Sequence, residues 1–167
     1  MIRYLKKNFI INIFIVLIIF FLDRFSKIFV ISYSEKSLSA DLFSSKFLNI
    51  SLIWNEGIAF GLFSFEQSRL YDFLSIFISI VVIVIFIMIL KNEGMKKFSL
   101  LIIFGGALGN LYDRIFFKAV PDFIDFHIGN FHWFIFNVSD IFISLGVLFL
   151  IYLELIDNQK DNVNEKN

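Results

Sequence analysis

Residues 73–90 read FLSIFISIVVIVIFIMIL, 18 consecutive residues without an ionisable side chain. At ~1.5 Å of rise per residue this run makes a helix about 27 Å long, close to the roughly 30 Å of a bilayer's hydrocarbon core. It predicts a membrane span. Three further apolar stretches lie outward from it, residues 9–22, 98–111 and 141–153. Those at 9–22 and 98–111 reach only about 21 Å, so a crossing helix there has to take in polar neighbours. Extension carries the first through Asp23, Arg24 and Lys27 to Ile31 and the other through Asp113 and Arg114 to Phe117. The last stretch extends back to Asn137.

Composition agrees with this reading. The chain of 167 residues is 58% hydrophobic and 18% charged, with 25 Phe and a mean hydropathy of +0.80. That is too apolar for a water-soluble domain of this length. Lys+Arg and Asp+Glu are equal at 15 each, so the basic surface needed for phosphate-backbone binding is missing and no nucleic-acid partner is expected. The absence of cysteine removes disulfides, thiol nucleophiles and Cys-based metal sites. The expected fold is an all-α integral membrane protein, one domain over residues 1–167. Its four transmembrane helices fall at about 9–31, 70–90, 98–117 and 137–155, with outer loops at 32–69 and 118–136 and a polar tail at 157–167.

The first span follows Arg3, Lys6 and Lys7 and so resembles a signal peptide. No small-residue cleavage pattern follows its apolar core, and the helical pattern resumes at Ile28, so it reads as a retained anchor. Orientation follows from the density of basic residues. Arg3, Lys6, Lys7, Lys91, Lys96, Lys97, Lys160 and Lys166 crowd into short segments, and the other seven are spread thinly over long ones. Short basic segments stay inside, which makes both termini cytoplasmic. Within 32–72 the stretch FLNISLIW at 47–54 alternates partially and predicts strand. Residues 64–71 read as an interfacial turn or short helix leading into the second span, with Trp54 and Tyr71 suited to the headgroup level.

With this orientation the polar residues collect at one surface. Asp23 and Lys27 end the first span, and Asn55, Glu56 and Gly57 lie in the first outer loop. Asn110, Asp113 and Arg114 end the third span, Asp122 and Asp125 follow it, and Asn137 and Asp140 open the fourth. Ionisable groups at membrane depth are costly and tend to be paired and functional. Structural explanations also exist: Asp23 and Lys27 have helix ion-pair spacing, Asn137 to Asp140 has capping-box spacing, and Gly105 with Gly109 has the spacing of close helix packing. Arg114 can snorkel to the headgroups. His127 and His132 read as ordinary loop residues, since no His-Glu-x-x-His helix accompanies them and two histidines beside Asp125 are a poor metal array. No metal or cofactor is expected.

Two carboxyl groups sharing one proton can hydrolyse an amide. The ionised one takes a proton from water and the neutral one donates to the carbonyl oxygen. Asp122 and Asp140 flank the loop 123–139 and are suitable candidates, with Pro121 expected to end the helical trace just before Asp122. Asp125 rivals Asp122, and spacing alone does not separate them. A serine mechanism lacks a Gly-x-Ser-x-Gly elbow. The competing classes are a non-catalytic membrane scaffold and an ion- or proton-coupled transporter, but a transporter needs polar residues throughout the depth. A presenilin-like protease lacks its Gly-x-Gly-Asp motif here.

Five segments in order closely resemble the bacterial lipoprotein signal peptidase family, also called signal peptidase II: DRFSK at 23–27, NEGIAF at 55–60, GGALGNLYDR at 105–114, VPDFIDF at 120–126 and FNVSD at 136–140. The resemblance covers nearly the whole chain. It implies an aspartic endopeptidase of the bacterial cytoplasmic membrane, acting near the outer leaflet. Such enzymes remove signal peptides from prolipoproteins just before a diacylglyceryl-modified cysteine. By motif position Asp122 and Asp140 become the catalytic pair, while Asp23, Lys27, Asn55, Gly57, Asn110, Arg114 and Asn137 bind substrate or support the pair. The resemblance also implies a small extracytoplasmic β-cradle, a short interfacial helix and inhibition by globomycin-like peptides, and a site built from the helices of one chain needs no partner, so a monomer among membrane lipids is expected. Ile58 and Ser139 stand where the family usually has alanine, Pro121 replaces an aliphatic residue, and Trp54 an often smaller or polar one. These departures bear on substrate preference and rate.

Overall fold

A computed structural model describes residues 2–37, 41–57 and 67–164 of the chain. Its elements run α1 (Ile2–Lys36), β1 (Asp41–Ser44), β2 (Leu48–Asn55), α2 (Gln67–Lys91), α3 (Gly94–Phe117), β3 (Val120–Ile128), β4 (Phe131–Phe136) and α4 (Val138–Asn164). Each helix contains a segment long and apolar enough to cross a membrane: Phe9–Lys36, Tyr71–Lys91, Gly94–Phe117 and Val138–Asp157. These segments are largely unburied in α1, α2 and α4, at 11–17%, against 50% in α3. α3 is therefore the hub, packed on the other three helices, and the outer three turn Phe, Ile and Val side chains outward. In a bilayer that arrangement costs nothing, because lipid chains are as apolar as a protein core.

The helices meet through apolar packing at one end and polar groups at the other. At the apolar end Ile89, Leu100 and Leu101 are buried against Ile15, Val16, Ile85, Phe104 and Leu150, which brings in all four helices. Further along α3 its glycines allow backbone contact. A Cβ at Gly106 would come within 2.7 Å of the Ser139 carbonyl oxygen on α4. One at Gly109 would strike the Asp23 carboxylate and the Ser139 hydroxyl. The small-residue spacing read in the sequence thus seats α1 and α4 directly on α3.

Beyond the polar end lies an antiparallel sheet in the order β1-β2-β3-β4. The strand expected near 47–54 is β2. The sheet is larger than that one stretch: β3 and β4 occupy most of 118–136, where the sequence reading placed only a connecting loop. The fold is therefore four apolar helices with a small antiparallel sheet, as expected, the sheet being four-stranded. Pro121 does not end the helix. α3 stops at Phe117, where Lys118 takes a left-handed conformation (φ 57°) and turns the chain into β3. Pro121 lies within β3, opposite Trp54 of β2. The expected short interfacial helix is not a separate element over 67–71, which form the start of α2. Residues 64–66 fall outside the described segments, as does Ile58.

Candidate active site

Two polar groups join where α1, α3 and α4 meet the sheet. The first is an ion cluster between α1 and α3. Lys27 Nζ lies 2.9 Å from Asp23 Oδ1 and 2.7 Å from Asp113 Oδ2, and donates to Asn110 Oδ1 at 2.8 Å. All three of its donor positions are used, as a fully buried ammonium requires. Arg24 pairs with Asp113 at 2.6 Å and with Asp23 at 3.0 Å, and its guanidinium lies over the Tyr112 ring. Two cations and two carboxylates sum to zero charge, so the cluster can be buried. Asp23 also accepts the Ser139 backbone N–H at 3.0 Å, which satisfies an orphan donor in the first turn of α4 and matches its positive end.

The second group holds Asp122 and Asp140. The α4 N-terminus forms the capping box read from the sequence: Asp140 N–H donates to Asn137 Oδ1 (3.2 Å) and Asn137 N–H to Asp140 Oδ2 (3.1 Å). The remaining amide donor of the same side chain, Asn137 Nδ2, reaches Asp122 Oδ1 at 2.6 Å. From β2, Asn55 Nδ2 donates to Asp122 Oδ2 at 2.8 Å. From α3, Asn110 Nδ2 donates to Asp140 Oδ1 at 2.8 Å. Asn110 thereby links the two groups, with its oxygen on Lys27 and its nitrogen on Asp140. Asp122 is only 4% exposed. Burial pushes its carboxyl above the ordinary carboxylate range, opposed by the hydrogen bonds from Asn55 and Asn137 and reinforced by the nearby Asp140 charge.

The open side of the site is β2. Asn55 and Gly57 are exposed, and Gly57 N–H donates to Asn55 Oδ1 at 2.7 Å in a turn whose φ of 79° suits glycine. Arg114 is the expected site residue that the structure ties least to the acids: its Nη1 donates to the Asn110 carbonyl at 3.1 Å. Asp125 is drawn elsewhere. It lies 2.8 Å from His132 Nδ1 and 3.5 Å from Asn49 Nδ2, so geometry separates it from Asp122 where spacing did not. Arg24 and Asp113 complete the ion cluster and were not among the expected site residues. Part of the signal was local, since Asp113 lies one turn beyond Asn110, but the pairing of Arg24 with Asp113 spans 89 residues of chain.

The fold and site together define a multi-pass membrane protein with an acid pair held at one end of its helix bundle. The profile of the family described as signal peptidase (SPase) II matches residues 15–156. A lipoprotein signal peptidase of Pelagibacter ubique is 49% identical over 161 residues, covering 96% of each chain. One from Anaplasma marginale is 35% identical, covering 92% of this chain and 89% of its own. Two solved structures, both described as bacterial membrane enzymes, superpose with TM-scores of 0.73 and 0.72 at 28% identity, and cover 89% and 86% of this chain and 90% and 92% of their own. The chain belongs to the signal peptidase II family. That membership makes it a hydrolase and sets aside the scaffold and transporter readings.

Proposed function

We propose that this chain removes signal peptides from diacylglyceryl-modified prolipoproteins, cutting just before the lipidated cysteine, with Asp122 and Asp140 as its catalytic pair. The observation that carries the assignment is that Asn137 holds both carboxyl groups, its side-chain amide donating to Asp122 Oδ1 and its backbone N–H to Asp140 Oδ2. Burial favours the protonated form of one acid, and the shared environment leaves the other to accept a proton from water. The neutral carboxyl donates to the scissile carbonyl oxygen as the water attacks, and the proton taken from water passes to the leaving amine. Neither step requires a metal or cofactor.

The supporting residues act through position. Asn110 holds Asp140 from the side of the buried ion cluster, and Asp23 and Lys27 brace Asn110 and the start of α4. Asn55 and Gly57 lie on the exposed side, where they would hold the substrate backbone beside Asp122, with Arg114 at the rim. The density of basic residues puts both termini in the cytoplasm and the acid pair near the outer leaflet of a bacterial inner membrane. There the substrate's acyl chains stay in lipid while the scissile bond meets water. The sheet then serves as the extracytoplasmic cradle. The pair is built within one chain, so a monomer suffices, and globomycin-like peptides would compete with substrate for the acid pair.

The test is cleavage of a diacylglyceryl-modified prolipoprotein in detergent by wild type, Asp122→Asn and Asp140→Asn at equal folded protein. Loss of processing in both variants supports the pair. Full activity in either one removes it.

A further inference from the structure

The hairpin β3–β4 carries a second constellation that the proposed peptidase chemistry does not use. Residues 128 and 131 pair across a two-residue turn that opens on Gly129 at φ 59°. That turn sets His127 directly opposite His132. The two rings lie face to face, 5.2 Å apart and 25° from parallel. Asp125 is two residues before His127 on the same strand, hence on the same face. The chain's two histidines are thus a cross-strand pair with a carboxylate beside them.

The donor atoms of Asp125, His127 and His132 all lie within 4.8 Å of one another. Asp125 Oδ2 is 2.8 Å from His132 Nδ1 and 3.9 Å from His127 Nδ1. Ligands ~2.0–2.1 Å from a tetrahedral zinc ion sit about 3.3 Å from each other, a spacing that these two distances bracket. An independent feature points to a ligand. His127 Nδ1 is buried, on a side chain only 10% exposed, and has no hydrogen-bond partner among the described residues. A buried ring nitrogen left without a partner is costly, and here it faces the carboxylate. Asn49 Nδ2 lies 3.5 Å from that carboxylate, and the Asn49 oxygen accepts from Ser44 Oγ at 2.8 Å, as outer-shell residues orient metal ligands. His132 is half exposed, which leaves an entry route and room for water as a fourth ligand.

We propose that Asp125, His127 and His132 bind one divalent first-row metal ion, zinc being the ion whose ligand preference two imidazoles and a carboxylate match. Its role is structural: it clips β4 to β3, the strand that also carries Asp122. The sequence reading of these histidines as ordinary loop residues is thereby revised.

The composition makes the test clean, because the chain has two histidines and no cysteine and so offers no other imidazole or thiolate set. Full-length protein purified without a polyhistidine tag is titrated in detergent with Co2+, followed by visible absorption, and then with Zn2+ as competitor. The expected result is one Co2+ per chain, displaced by Zn2+, with a thermal unfolding midpoint raised by several degrees when zinc is present. His132→Gln changes a half-exposed residue, and His127→Phe keeps the ring volume. Each should weaken binding at least tenfold and abolish the zinc-dependent rise, while far-UV circular dichroism stays that of the wild type. Absence of saturable uptake by folded wild type overturns the proposal. So does equal uptake by the wild type and a folded double variant, since the ion would then sit on surface carboxylates.

Discussion

Asn137 does two things with one amide: its oxygen caps α4 and its nitrogen holds Asp122. The two can be separated. Asn137→Ser keeps a good capping oxygen but lacks the amide that donates to Asp122. It should keep the cap's share of stability and lose most prolipoprotein cleavage, whereas Asn137→Ala should lose activity and also about 1 kcal/mol of stability. Comparing unfolding and cleavage in the same preparations checks this. Asp122→Asn and Asp140→Asn should each reduce kcat/KM on the order of 10²–10⁴-fold, the scale of general acid–base catalysis. The pH profile carries a sign. Burial raises the Asp122 carboxyl and Asn55 opposes that rise by favouring the ionised form. The shared proton is therefore kept above the ordinary carboxylate range and lost as pH climbs through the raised value. Asn55→Leu removes the opposing hydrogen bond, so the alkaline limb of kcat/KM should move to higher pH whatever happens to its height. A limb that moves down or stays fixed would separate Asn55 from the proton on Asp122.

Between elements, the α1–α3 ion cluster and the α3 glycines do what apolar packing cannot do in lipid. Lys27→Met leaves Asp23 and Asp113 with Arg24 as their one remaining cation in the cluster, a net buried negative charge. Breaking a buried pair this way costs about 3–5 kcal/mol, so denaturation in mixed micelles should show a loss of that order. Gly106→Ala pushes a methyl group into the Ser139 carbonyl, a backbone atom that cannot rotate away. Overpacking of this kind costs about 1–3 kcal/mol, and it should also shift α4 and with it Asp140. Lower stability together with lower kcat in Gly106→Ala is the expected outcome. The sequence signals for these elements differed in strength. Helical spacing exposed Asp23 with Lys27, the capping box and the small-residue stripe, because all are local. The ion cluster was half legible: each charge was visible, but the partners of Arg24 and Asp113 are 89 residues apart along the chain.

At the scale of the molecule, the proposed orientation is open to direct measurement because the chain contains no cysteine. A cysteine introduced at Asn130, in the β3–β4 turn, should react with a membrane-impermeant maleimide in intact cells. One at Glu93, between α2 and α3, should react only after permeabilisation. The reverse pattern would invert the topology and place the acid pair at the inner face.

What the sequence by itself determined was the membrane environment, the number of crossing helices and the motif order that defines the family. Each rests on hydropathy, length or local spacing, which a linear chain displays directly. The strands β3 and β4 were missed because FIDFHI and FHWFIF are apolar and aromatic without clean alternation, and the Gly129-Asn130 turn between them was not weighed. Only the tertiary structure decided the surroundings of Asp122 and Asp125. The two lie three residues apart on one strand, and what separates them is the partner each meets across space: Asn137 and Asn55 for the first, His132 and Asn49 for the second. Register across a sheet and contact between helices depend on residues far apart in the chain, and spacing along one segment carries no record of them.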